Sequence, residues 1–300
     1  MEKHHHHHHH TTTENIKVAF ALNLGFAILE LIGGLAFNSV AILSDALHDL
    51  GDSISLGLAW FFENFSNRES DEKYPYGYGR FSLLSALINA IVLVLGSYII
   101  LSEAIKRLLE PEPTQPVGMI GFALLGILVN GAAALRLKNE ESQNAKIVGW
   151  HLMEDVIGWI AVLIGGILML FFDLPFIDPV LAIILSIYVL YNVLKNLKET
   201  LGLFLQRTPK NVDMDLIKGE LCNCANVSSA HDTRIWSLDG ERHVLSTHLV
   251  IAENASKEDI LRIKRECKES LYAIANLSHI TIEIEYPGEC CTDNSTDLII

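Results

Sequence analysis

Two short strings in the chain could do chemistry. His48-Asp49-Leu50-Gly51-Asp52 and His151-Leu152-Met153-Glu154-Asp155 each place a histidine four residues before an aspartate. On an α-helix, positions i and i+4 lie one turn apart on one face, so each string would present an imidazole and a carboxylate side by side. Two such helices facing each other would offer two nitrogens and two oxygens, the donor set of a tetrahedral metal site. Zinc favours that geometry, with bonds near ~2.0–2.2 Å. Calcium and magnesium prefer more oxygen donors and higher coordination. Cobalt and cadmium fit the same donors, and the residues leave them open.

Both strings sit in stretches apolar enough to cross a membrane. An ionised residue at the bilayer centre costs ~2.5–3.5 kcal/mol on insertion scales, and Asp45, Asp49 and Asp52 share one such stretch. A single buried aspartate can serve as a hydrogen-bonding group, and a single histidine on an apolar face can be satisfied by packing. A matched pair of strings is harder to explain by packing alone. Positions 45, 48, 49 and 52 line one helical stripe, so Asp45 and Asp49 form a second carboxylate pair. His48 and Asp52 are preferred as ligands because they mirror the later string, while Asp45 and Asp49 could handle protons or water. Asn23, Glu30, Asn89, Glu103 and Asn130 read as interhelical hydrogen-bonding groups.

The elements that must position these residues follow from composition. Half of the 300 residues are hydrophobic, 19% are charged and the mean hydropathy is +0.31, values that point to a membrane protein with a soluble part. Six segments approach the ~20 residues that span a bilayer, near 16–37, 39–63, 81–105, 116–136, 147–172 and 174–196. The third and fourth hold no charge over Phe81 to Ser102 and Val117 to Leu135. The turns after the second, fourth and sixth segments carry the basic residues, among them Arg68, Arg80, Arg136, Lys198 and Arg207. The positive-inside rule then places both termini in the cytoplasm. The first span follows a histidine run, His4 to His10, and a threonine-rich linker without a small-residue cleavage pattern, so no signal peptide is expected. That run reads either as a zinc-collecting arm or as a purification tag.

From about Gln206 the pattern changes. Val212 to Leu221 is amphipathic, and two strand-like runs, Ala230 to Leu238 and Arg242 to Ala252, flank the hairpin signal Asp239-Gly240. Ser256 and Asp259 open a further helix to about Ala273, and His279 to Tyr286 alternates as a strand. The order αββαβ predicts a small metallochaperone-like α+β sandwich with helices on one sheet face. The expected domains are a His-rich tail over 1–14, six transmembrane helices over 15–205, the α+β domain over 206–288 and a flexible tail over 289–300. About 80 residues make a small core, and dimerisation would add to it. All five cysteines fall in the last 80 residues, which suits a reducing compartment better than a disulfide framework. Cys222-Asn-Cys224 could bind metal, but Cys222 fits a helix face and reads as packed.

Ser39-Val-Ala-Ile-Leu-Ser-Asp-Ala-Leu-His-Asp-Leu-Gly-Asp52, Tyr76-Gly-Tyr-Gly-Arg80, His151 with Asp155, Ile177-Asp-Pro179 and His231-Asp-Thr-Arg-Ile-Trp-Ser-Leu238 together resemble the cation diffusion facilitators. These are zinc and heavy-metal efflux transporters with six spans and a cytoplasmic αββαβ domain. The resemblance runs from Asn15 to Pro287. It implies a transport site at His48, Asp52, His151 and Asp155, with the two-His, two-Asp set associated with zinc. It further implies a regulatory metal site at His231, His248 and Glu285, a homodimer, alternating access with metal exchanged for protons, and a multi-pass protein of the bacterial inner membrane. Cys290-Cys291 resembles the spaced cysteine pair at the tail of some vertebrate members, although here the two are adjacent.

Charge counting agrees with exchange. With neutral imidazoles and ionised carboxylates the four-residue site carries −2, which either Zn²⁺ or protons can offset in a low-dielectric interior. Histidine titrates near pH ~6.5, so metal and protons compete for one ligand set. No organic cofactor is expected, and the only cofactor-like ion is Zn²⁺ as cargo and regulator. A net charge of −14 speaks against nucleic acid, which needs a basic face. No Walker loop or phosphorylatable Asp-Lys-Thr-Gly string supports an ATP-driven pump or other enzyme. The competing readings are a membrane-anchored zinc sensor and a passive zinc channel. An anchor needs no polar stripe, and saturable, proton-coupled flux separates a carrier from a pore.

Overall fold

A computed structural model of the chain describes residues 9–66, 68, 70–137 and 143–289. Most of the His4–His10 run, and Cys290 with Cys291, lie outside the described residues. The chain divides into two compact units, one comprising residues 1–67 and 84–198, the other residues 68–83 and 199–300.

The first unit is built from six long helices: α1 (His9–Ala36), α2 (Val40–Ser66), α3 (Phe81–Leu109), α4 (Pro116–Leu137), α5 (Gln143–Phe172) and α6 (Ile177–Phe204). Among the described residues, α3, α4, α6 and the Gly149–Phe172 part of α5 are long and apolar enough to cross a membrane, and α1 contributes the shorter apolar stretch Phe20–Ala36. Helix α2 carries Asp45, Asp49 and Asp52 in its first half. The last segment begins later than expected, at Ile177 rather than 174, because the chain turns through Asp173 at φ 49° and Leu174-Pro175 before helix resumes.

Small and aromatic residues interlock at the centre of this unit. Trp159 of α5 is fully buried with Val40, Ala41 and Ile42 of α2 and Met119 and Ala123 of α4 in one cluster. Its ring packs against Phe26 and Phe122, with centroids 6.4 and 5.7 Å away. A Cβ on Gly126 would come within 2.4 Å of the indole, so only glycine lets α4 approach α5 there.

The start of α2 is capped from a distant part of the chain. Asp178, at the start of α6 and fully buried, accepts from the Ser39 hydroxyl at 2.6 Å and from the Val40 and Ala41 amides at 2.7 and 3.3 Å. The first amides of a helix lack intrahelical partners, and an anion there also meets the positive end of the helix dipole. One carboxylate thus fixes where α2 begins relative to α6.

Of the five polar residues expected to bond between helices, Asn23 does so, donating from α1 to the Asp49 carbonyl and the Ser53 hydroxyl of α2 at 3.0 and 3.1 Å, and Glu30 of α1 meets the Asp49 carboxyl of α2. Glu103 and Asn130 bond within their own helices, to Arg107 and to the Gly126 carbonyl. Both pairs are four residues apart, the spacing at which a helix satisfies its own side chains. The Asn89 Oδ1 has no hydrogen-bond partner among the described residues.

The second unit has the order α7 (Met214–Asn223), β1 (Val227–Ser237), β2 (His243–Ile251), α8 (Lys257–Ile274) and β3 (Leu277–Glu285). β1 and β2 pair antiparallel, β2 and β3 parallel, and the sheet order is β1-β2-β3. Asp213 caps α7, and a capping box of Ser256 and Asp259 starts α8. The Ser256 hydroxyl and amide hold the Asp259 carboxyl below its usual range. Ile263, Cys267 and Leu271, one turn apart on α8, join Ile217 and Leu221 of α7 over Leu245, Leu249 and Ile280 of the sheet. Burial pushes the Cys267 thiol up, and the neighbouring Cys224 sulfur adds to that. Cys222 is exposed, contrary to the expectation that it packs. The stripe that reaches the core is Ile217 and Leu221, and Cys222 falls beside it.

The segment over residues 68–83 belongs to this second unit. Arg80 donates its Nε to the Leu238 carbonyl at the β1–β2 turn, 3.3 Å away, and the Tyr76 ring stands edge-on to His279 at 5.9 Å. Asp71 orders the segment locally, accepting from the Tyr78 hydroxyl at 2.7 Å and from the Lys73 and Tyr74 amides.

Two outcomes follow from these contacts. Asp178→Ala leaves the α2 amides and Ser39 without their buried acceptor, a loss of about 2–4 kcal/mol, read as a lower thermal midpoint of the detergent-purified protein, with Asp178→Asn falling between. His243, at the start of β2, is buried with no partner for either ring nitrogen among the described residues, and burial pushes its pKa below the ordinary value. The unfolded chain therefore takes up this proton first. The contribution is present above pH ~6.5 and is lost as pH falls through the folded value. Hydrogen-exchange protection of β2, corrected for intrinsic rate, should fall between about pH 7.5 and 5.5, and His243→Phe should flatten that dependence.

Candidate metal centre

Helix α2 delivers His48 and Asp52 one turn apart, and α5 delivers His151 and Asp155 the same way. One ligand atom each from His48, His151 and Asp155 lies within 4.8 Å of the other two. The imidazoles of His48 and His151 meet edge-to-face, centroids 5.4 Å apart. Asp52 joins them through its Oδ2, which is 2.6 Å from His151 Nε2 and 3.9 Å from His48 Nε2. The four residues chosen from sequence therefore come together, three as a compact set and Asp52 through its hydrogen bond to His151. An imidazole nitrogen and a carboxylate in such surroundings satisfy each other, which draws Asp52 toward one side of the set.

The packing around the group is close. A Cβ on Gly51 would lie 2.3 Å from the Leu93 side chain of α3, and one on Gly96 would lie 2.3 Å from Leu47. These two glycines let α2 and α3 touch on either side of His48, which fixes the rotation of α2 about its axis. Asp49 is only 6% exposed, lies outside the compact set and meets the Glu30 carboxyl of α1. Asp45 faces α5, where a Cβ on Gly158 would be 3.9 Å from its Oδ1. The alternative Asp45/Asp49 pair is thus adjacent to the histidines without sharing their ligand geometry.

The small domain holds a second group. His231 of β1 and His248 of β2 are direct cross-strand partners. Glu285, at the end of β3 and 8% exposed, reaches both, with Oε1 2.6 Å from His248 Nδ1 and Oε2 3.2 Å from His231 Nε2. Two further carboxylates approach His248 Nε2, Glu283 at 3.6 Å and Asp232 at 3.8 Å. Sequence reading passed over both. Glu283 had a signal, since residues two apart on a strand share a face and Glu285 was already chosen. Asp232 had little, because it reaches the group through an irregularity in β1 between His231 and Arg234 where its φ is 46°.

If both groups bind metal, a chain with His4–His10 replaced by alanine should take up zinc at two separable sites in equilibrium titration. His48→Ala with His151→Ala should remove one, and His231→Ala with His248→Ala the other, each weakening its own site by tenfold or more.

Comparison with known proteins places these geometries in context. The family model for the cation efflux transmembrane domain matches residues 16–205, and that for the cation efflux protein cytoplasmic domain matches residues 209–287. The chain is 32% identical over 272 residues to the cadmium, cobalt and zinc/H⁺-K⁺ antiporter of Bacillus velezensis, covering 89% of this chain and 87% of that protein. It is 30% identical over 273 residues to the metal cation efflux system protein CzcD of Cupriavidus metallidurans, covering 90% and 86% of the two chains. The zinc transporter ZitB of Yersinia pseudotuberculosis shares 29% over 278 residues, 91% of this chain and 88% of its own. With both family models matched in order along a six-helix unit and an α+β unit, the chain belongs to the cation efflux family, the cation diffusion facilitators.

Proposed function

We propose that this protein exports Zn²⁺ from the cytoplasm by alternating access, exchanging it for protons, with His48, Asp52, His151 and Asp155 as the transport site. The observation that carries this reading is the meeting of two imidazoles and two carboxylates from α2 and α5 inside a bundle of apolar helices. That donor set suits zinc and admits cobalt and cadmium. The names of the relatives, which include zinc transporters and a cadmium, cobalt and zinc antiporter, support the same cargo and the coupling to protons.

The chemistry of exchange lies in the ligands themselves. Asp52 and His151 share a hydrogen bond, and a zinc ion bound by both must displace whatever proton that bond holds. A bilayer face with more protons therefore favours release, and the opposite face favours capture. His231, His248 and Glu285 form a regulatory zinc site in the same reading, with Asp232 and Glu283 close by. The protein works as a homodimer in the bacterial inner membrane, with both termini on the cytoplasmic side, as the basic turns indicate. The working division is a His-rich tail over 1–14, the transport domain over 15–205, the regulatory domain over 206–288 and a short tail to residue 300.

The test is zinc flux in proteoliposomes with and without an imposed pH gradient. Flux that rises with the gradient and saturates with zinc is expected. Asp155→Ala should reduce it by about 100-fold or more while the protein still elutes as a folded species. Zinc flux that neither moves protons nor responds to the gradient would refute the exchange, and full activity of Asp155→Ala would refute the site.

A further inference from the structure

Glu30 stands in the second half of α1 with no exposed surface, and its carboxyl meets that of Asp49 on α2, while among the described residues no N–H or hydroxyl donor reaches either oxygen. The groups that act most strongly on it are acids: Asp45 and Asp49 of α2, and Asp155 of α5. Asn23, seven residues earlier on the same face of α1, spends its amide on the Asp49 carbonyl and Ser53. An ionised carboxylate in an apolar interior without a donor is among the costliest groups a fold can hold. Facing other carboxyls raises that cost, because like charges so placed cannot all ionise. A glutamine or an apolar side chain would fill the same volume without this cost, so packing alone does not account for an acid at this position.

We infer that Glu30 is the proton-carrying carboxyl of the exchange, protonated while the transport site is free of metal and deprotonated when a divalent cation enters it. This rests on the proposed exchange of zinc for protons. The step balances simply: the Glu30 O–H bond breaks, the carboxylate keeps the electron pair and the proton passes to water, and the reverse follows metal release. Asp155 links the two places, being at once a member of the metal-ligand set and one of the charges acting on Glu30. A dication at the site offsets that charge and lets Glu30 ionise, so metal entry and proton departure favour each other.

The experiment compares the full chain with Glu30→Gln and Glu30→Asp. Protons released per zinc bound are counted with a pH dye in weak buffer, and zinc flux is measured in proteoliposomes under a pH gradient. Glu30→Gln should bind zinc at the transport site yet release about one proton fewer per ion, and its flux should lose its response to the gradient, whereas Glu30→Asp should restore both. A Glu30→Gln protein with the unchanged proton count and gradient response would overturn the assignment while leaving the exchange intact. Wild-type flux indifferent to the gradient would instead overturn the exchange itself. Infrared difference spectra of the wild-type protein with ¹³C-labelled glutamate serve where the variants do not fold. A protonated glutamate carboxyl band that disappears on adding zinc is expected, and its absence contradicts the role of Glu30.

Discussion

Carboxyl groups held among apolar helices are the constraint on which the first unit depends. Asp45, Asp49, Asp52, Asp155, Asp178 and Glu30 all lie in helices α1, α2, α5 and α6, where an unpaired charge would destabilise the fold. Four of them show how differently such a group can be met. Asp178 takes hydrogen bonds from the start of α2, and Asp52 bonds to His151. Asp155 stands with the two imidazoles. Glu30 meets another acid, Asp49, and among the described residues no N–H or hydroxyl donor.

The two metal-capable groups solve the same problem with different backbones. In the helical unit the spacing i, i+4 brings ligands together along one element, and the close glycine contacts at Gly51 and Gly96 set the rotation of α2. In the α+β unit the ligands come from three strands, paired across the sheet as His231 with His248, with Glu285 closing from β3. In the first, the ligands come from two separate helices, so the proposed alternating access would require α2 and α5 to move apart. In the second, they come from strands tied into one hydrogen-bonded sheet.

Much of this was legible in the sequence because the signals are local. The six apolar segments, the αββαβ order, the capping box of Ser256 and Asp259 and the two His-x-x-x-Asp strings all depend on residues within a turn or two of each other. What the sequence hid depends on distant partners. Glu30, Asn89, Glu103 and Asn130 look alike as polar residues in spans, yet which neighbour each meets decides its bonding: Glu103 and Asn130 bond within their own helices, while Glu30 meets Asp49 of another helix. Asp232 was invisible because a strand irregularity, not its spacing, brings it near His248. Asp178 was recognisable only as part of Ile177-Asp-Pro179, and its role as the cap of α2 needs a contact across more than 130 residues of chain.

The most direct measurement is zinc X-ray absorption on a chain in which His4–His10 are replaced and His231 and His248 are changed to alanine, so that the signal comes from the transmembrane site. The proposed quartet predicts four light-atom ligands at ~2.0–2.2 Å with the multiple-scattering pattern of two imidazoles. Six-coordinate zinc, sulfur ligation, or a spectrum with no imidazole contribution would contradict it.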